Sequence, residues 1–274
     1  MKIVPTLILF FSFNCLITAC NNTSNEKKVV ADSGKTIVLS PYIQHLQSLI
    51  ATKPDSVGIR LKLIDAYDSL NLFKPAIAEI DSLITKDKFN YGLWYRKGSL
   101  SENAEDTAAA IDAFKHAIEI YPSPDALLSL ANLYAEQKNK IALELCNQVA
   151  ELRLGREMNA NCFFISGVYY ARTGQYNKAI QAFDQSINQN FALMEAYMEK
   201  GFIYYDRKDF AKALQIFQMA AQVNNTYADV YYWQAKCYES LQNKNEAIKN
   251  YQTSLTLDPT LHEAAEAIKR LEHL

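Results

Sequence analysis

The chain has 274 residues, 49% of them hydrophobic, with a formal net charge of -2, enough for one large domain or two small ones around a substantial core. Lysine and arginine form no block beyond a short Glu26–Lys28 stretch, which argues against a nucleic-acid partner, whose footprint is a basic stripe or patch. Glycine (8) and proline (7) are too sparse for an all-β fold of many tight turns.

In chain order, Lys2 precedes an apolar run from Ile3 to Phe13, a secretory signal pattern too short for a stable membrane span. Ile17-Thr18-Ala19-Cys20 resembles the bacterial lipobox. The resemblance implies that residues 1–19 are a signal peptide and that the thiol of Cys20 accepts a diacylglyceryl group, the small Ala19 giving the peptidase access. Cys15 follows Asn14, lacks that context and should leave with the signal peptide. Each buried acyl CH₂ contributes about 0.8 kcal/mol, so two or three chains anchor firmly. Asn21 is not the acidic residue associated with inner-membrane retention in some bacteria. The expectation is therefore an outer-membrane anchor, most simply facing the periplasm. Residues 20–39 are polar at first and poor in apolar side chains, and are expected to form a flexible tether. No later stretch approaches the length of a transmembrane run.

A repeat then sets in. The block Ala228–Pro259 carries Tyr231, Ala235, Tyr238, Ala247, Tyr251 and Ser254. One period earlier stand Tyr197, Gly201, Tyr204, Ala213, Phe217 and Ala220; a further period earlier stand Phe163, Gly167, Tyr170, Ala179, Phe183 and Ser186. This alternation of aromatic and small residues resembles the tetratricopeptide repeat, a helical hairpin of about 34 residues. The block at Tyr91 fits through Trp94, Gly98, Ala110, Phe114, Ala117 and Pro122 but has Ser101 where an aromatic is expected. The block near Val57 keeps Leu63, Tyr67 and Ala76, with Pro75 suited to a helix start. The block from Pro124 keeps Ala131 and Tyr134, then falls out of step, with Gly155 in an apparent insertion. In the series Ala76, Ala110, Ala142, Ala179, Ala213 and Ala247 the spacing accordingly holds to one period except around Ala142, which comes early and is followed by a longer gap.

The resemblance implies an all-α solenoid over 40–274, wound as a right-handed superhelix. A half repeat would cover 40–56, with Tyr42 to Thr52 helical. Repeats follow at about 57–90, 91–123, 124–159, 160–193, 194–227 and 228–261, and a capping helix at 261–274 places Leu261, Ala264, Ile268 and Leu271 on one face. Residues 98, 131, 167, 201 and 235, all Gly or Ala, are expected to face the alanine series so that paired helices approach closely, the aromatics filling the space between hairpins. Gly174 stands where a first helix should stop.

Catalytic chemistry is not evident. His45, His116, His262 and His273 are isolated, and His262-Glu263 lacks the second histidine of a zinc-protease pair. No phosphate-cradling glycine loop or Gly-x-Ser-x-Gly elbow is present. The expectation is a protein that is not an enzyme and uses no metal or cofactor. Of the three later cysteines, Cys146 and Cys162 fall on helices that should be neighbours; small buried thiols are favoured for these two and Cys237, with a disulfide left open.

In the family, the first helices line the concave wall and hold peptides through fixed positions. Carried over, the fifth and ninth positions are Leu61 and Asp65, Tyr95 and Ser99, Leu128 and Asn132, Phe164 and Val168, Met198 and Phe202, Tyr232 and Lys236, and Tyr205 is a twelfth position. The Lys and Asn pair with which chaperone-binding members clamp a carboxylate is missing. What remains is an aromatic and aliphatic strip of Phe164, Met198, Phe202, Tyr205 and Tyr232, a candidate groove for a protein or peptide of the cell envelope. The bland reading makes the strip core. A second functional reading is glycan binding, with the groove tyrosines and Trp94 or Trp233 stacking on sugars beside Asp65, Asn132 or Glu195.

Overall fold

The computed structural model describes residues 29–32 and 35–273. The expected signal peptide and Cys20 lie outside the described residues. Among the described residues no helix is long and apolar enough to cross a membrane.

The first element departs from expectation. Val29–Asp32 (β1) and Lys35–Val38 (β2) form an antiparallel ladder pairing Val29 with Val38 and Asp32 with Lys35, so the second half of the expected tether is strand. Its β-branched run of Val29, Val30, Thr36, Ile37 and Val38 favours extended backbone.

Fourteen helices follow among the described residues: α1 Pro41–Thr52, α2 Val57–Asp68, α3 Phe73–Ile84, α4 Tyr91–Asn103, α5 Thr107–Ile120, α6 Pro124–Glu136, α7 Ile141–Glu151, α8 Arg156–Arg172, α9 Tyr176–Gln189, α10 Met194–Asp206, α11 Phe210–Val223, α12 Ala228–Ser240, α13 Lys244–Leu257 and α14 His262–Glu272. From α2 to α13 they form six hairpins, each first helix packed on its own second helix and each second helix on the next first helix. First helices also meet directly, α6 with α8 and α8 with α10, whereas no substantial packing joins successive second helices among the described residues. The first helices therefore line the inner wall of the stack.

Side-chain caps start many of the helices. Ser40, Asn90, Asp106, Ser123, Asp209 and Asn243 each accept a hydrogen bond from the backbone N–H three residues on. The turn inside every hairpin is the same device. One left-handed residue (Asn71, Glu105, Lys138, Gly174, Lys208 or Gln242) follows the first helix. The next residue's N–H then bonds back to the carbonyl of Tyr67, Ser101, Tyr134, Tyr170, Tyr204 or Tyr238 at 2.8–2.9 Å, the Schellman closure. Sequence reading finds only Gly174, because glycine is the signal and the other five turns do without it.

The irregular repeat is absorbed at one joint. Helix α8 has 17 residues where α4, α6, α10 and α12 have 13, so the fourth hairpin starts at Arg156 rather than near residue 160, and the insertion becomes an extra helical turn.

The close approach inside a hairpin is not small residue against small residue. A Cβ placed on Gly98 would lie 2.6 Å from the ring of Phe114, and one on Gly167 2.5 Å from the ring of Phe183; Gly201 stands likewise against Phe217. All three rings are fully buried. Each glycine thus leaves space for an aromatic of its own hairpin rather than the next, while Ala110, Ala179 and Ala213 are sealed into the same clusters.

Candidate functional site

Helix periodicity places positions 5, 9 and 12 of each first helix on its inner side, and their degree of burial decides which could touch a guest. Val168 is 1% exposed and Met198 7%. Both belong to the buried clusters, which corrects their assignment to the groove. Direct packing of α8 on α6 and α10 closes over Val168, and Met198 is gathered into the cluster around Phe217. Leu128 is buried for the same reason.

The half-buried members of the strip are already engaged with one another. Tyr95 stacks on Tyr91 at 5.8 Å and leans on Phe114 at 5.6 Å. Phe164 tilts on Phe183 at 5.9 Å. Asn132 is half-buried on α6, and Asp65 is paired with Arg96. Phe202 lies 4.7 Å from Trp233 and 5.9 Å from Phe217, so truncating it would open the core as well as remove a contact surface. Trp233 also meets Tyr205 at 5.3 Å and Tyr232 at 5.8 Å. These rings form one aromatic layer between the last two hairpins, part core and part wall.

At its C-terminal end this layer opens into a cavity of about 360 Å³. One wall carries Tyr205 from α10 with Tyr232, Lys236 and Ser240 from α12. The opposite wall is the capping helix, with Glu263, Glu266 and Arg270. Lys236 extends its ammonium over the rings of Tyr232 and Trp233, 5.7 and 5.4 Å from their centroids, and makes no ion pair among the described residues. Glu239 is fully occupied: Arg270 donates to both its oxygens at 2.6 and 3.0 Å, and the Tyr251 hydroxyl donates at 3.1 Å. The guanidinium holds the Glu239 carboxyl below its ordinary range. Burial, then that carboxylate, push the Tyr251 phenol up. The charges of the cavity left to meet a guest are thus one cation on the solenoid wall and two carboxylates on the cap.

The contribution of the cap was not foreseen, because Glu239 and Arg270 are separated by 31 residues and each reads as an ordinary solvated charge. A second ionic tie lies outside the cavity, where Arg172 of α8 forks to both oxygens of Glu136 on α6 and of Glu199 on α10, at 2.8–3.0 Å. It staples three successive first helices.

The tryptophans proposed for sugar stacking are largely committed. Trp233 is inside the aromatic layer. Trp94 donates to the Lys88 carbonyl at 2.8 Å, meets His116 at 4.4 Å and lies under Lys97 at 5.4 Å. Glu195 is exposed. Among the described residues no group of three His, Cys, Asp or Glu could hold a metal ion.

Three family models described as tetratricopeptide repeat match residues 91–124, 166–228 and 228–261. A tetratricopeptide repeat protein from Parabacteroides merdae ATCC 43184 has a similar structure, with a TM-score of 0.68 and 14% identity over 84% of this chain and 91% of that one. PilW, described as a type IV pilus biogenesis factor, gives a TM-score of 0.63 and 16% identity over 78% and 97% of the two chains. A thermophilic protein of the same repeat class from Thermus thermophilus gives 0.54 and 18% over 68% and 100%. At such identities the likeness is one of fold. With six hairpins, matched repeat models and these neighbours, this chain belongs to the tetratricopeptide repeat family.

Proposed function

We propose that this chain is an envelope scaffold, lipid-anchored through Cys20 to the outer membrane, that binds a protein or peptide segment along the inner wall of its solenoid. The anchor rests on the signal pattern and on Ile17-Thr18-Ala19-Cys20. Binding rests chiefly on the cavity where Tyr205, Tyr232 and Lys236 face Glu263 and Glu266, since apolar rings beside a few convergent charges are what an interaction pocket requires. Tyr95, Asn132 and Phe164 would extend the contact toward the N-terminal hairpins. Lys236 would orient an anionic group of the guest and the two glutamates a basic one. Sugar stacking is the weaker reading, because both tryptophans spend their faces on internal partners.

The test sets envelope proteins retained by the wild-type chain beside those retained by Lys236→Glu, with a glycan screen in parallel. The reversed charge should release a specific protein while the chain keeps its helical circular dichroism and a cooperative melt. Equal retention by both chains, or a specific glycan with no protein, would overturn the binding proposal. Labelling cells with an alkynyl fatty acid tests the anchor separately: the label should be lost in Cys20→Ser.

A further inference from the structure

Four residues after the buried alanine of a second helix the chain usually places a ring: Phe114 after Ala110, Phe183 after Ala179, Phe217 after Ala213, Tyr251 after Ala247. In α7 the same offset from Ala142 gives Cys146. With a short thiol in place of a ring, the following first helix brings a second thiol alongside. The Sγ–H of Cys162 on α8 donates to the Cys146 carbonyl oxygen at 3.4 Å, and both side chains are buried in one cluster. Their ionisations are linked, since contact with Cys162, then burial, raises the Cys146 thiol while contact with Cys146 lowers that of Cys162. The joint they flank is where the repeat register breaks, a link holding two left-handed residues, Arg153 at φ 51° and Gly155 at φ 104°. Cys237, by contrast, is buried without a thiol partner among the described residues.

We propose that Cys146 and Cys162 are a disulfide site that staples α7 to α8 at this joint. Both are free thiols as described, and the oxidant is a small-molecule disulfide. The Cys162 thiolate attacks one sulfur of oxidised glutathione, forming a mixed disulfide and expelling a glutathione thiolate. The Cys146 thiolate then attacks the Cys162 sulfur, forming the protein S–S bond and expelling the second thiolate. The two protein thiol protons pass through solvent to the two expelled thiolates, so one oxidised glutathione becomes two reduced. Because both sulfurs are buried, the exchange takes place during folding or local opening.

The whole chain is refolded from urea in a glutathione redox buffer, alkylated and digested with trypsin. Cleavage after Lys140, Arg153, Arg156 and Arg172 leaves each cysteine on its own peptide, 141–153 and 157–172. The two should be recovered linked, and dithiothreitol should separate them and lower the melting midpoint by about 5 °C or more. Cys146→Ala and Cys162→Ala should each abolish the link, and Cys237→Ala should keep it. Recovery of both peptides as alkylated thiols, or of Cys162 only as its glutathione adduct, overturns the proposal. So does an identical midpoint for the linked and reduced chains, since the bond would then staple nothing. Refolding in the buffer removes burial as a barrier, so an absent link cannot be ascribed to access.

Discussion

Gly167→Ala tests how the hairpins close. The added Cβ would stand 2.5 Å from Cε1 and 2.7 Å from Cδ1 of Phe183. That ring is 0% exposed and is backed by Phe164 at 5.9 Å, so it has no free direction in which to yield. Overpacking of this kind costs about 1–3 kcal/mol, and replacing glycine by alanine inside a helix returns about 1 kcal/mol. A net loss of about 1 kcal/mol is expected. Gly58→Ala is the control: nothing lies within 4 Å of its Cβ, so it should stabilise by about 0.5 kcal/mol. Urea unfolding followed by circular dichroism reads both. Phe183→Leu should cost about 1 kcal/mol less in the Gly167→Ala background than alone, because the smaller side chain relieves the overlap. If Gly167→Ala instead stabilised as much as Gly58→Ala, the glycine would not be there to admit the ring, and the packing account would fail.

Further outcomes follow from single contacts. Glu105 holds a left-handed φ of 60° without being glycine, so Glu105→Gly should raise stability by about 0.5–1 kcal/mol in the same assay; a loss would show that its side chain matters more than its backbone. Arg172→Met cuts the tie between Glu136 and Glu199 and should cost about 1 kcal/mol at low salt, shrinking as salt is added; a salt-independent loss would make it a packing effect. The Glu239 carboxyl is held below its ordinary value of 4.5, chiefly by Arg270. Its contribution is therefore complete above that value and is lost as pH falls through the lowered folded value. The protection factors of the α14 amides, each rate taken relative to its intrinsic value at that pH, should fall over that acid range in the wild type, and Glu239→Gln should already show low protection at neutral pH with a flatter pH profile. Identical profiles would detach the cap from Glu239.

The helical stack was legible because spacing carries it. Tyr67, Tyr170, Tyr204 and Tyr238 stand at the same turn of their first helices, in register with the repeat, and that turn proves to be where the Schellman carbonyl sits. The caps that close those turns were mostly hidden, because Glu105, Lys138, Lys208 and Gln242 carry no left-handed preference of their own and are forced there by the packed helices around them. Small and aromatic positions could be counted, but not who faces whom: Gly98 and Ala110 look like partners until the ring of Phe114 is found between the helices. The candidate groove was half legible for a related reason. Positions along a first helix say which side a residue faces, not how closely its neighbours approach; the adjacent first helices bury Val168 and the cluster around Phe217 buries Met198, while Tyr205, Tyr232 and Lys236 are left on a cavity. The acidic wall from α14 depends on how the last helix docks, which no local pattern encodes.

The inner wall as the seat of a partner is tested most directly by site-specific photo-cross-linking in intact cells. A photoreactive residue replaces Ser240, exposed on the cavity, in one strain and Met219, 41% exposed on the second helix α11, in another. A discrete protein adduct from position 240 and none from 219 is the expected result. Adducts from 219 alone, with 240 silent, would place the partner on the outer face and contradict the account.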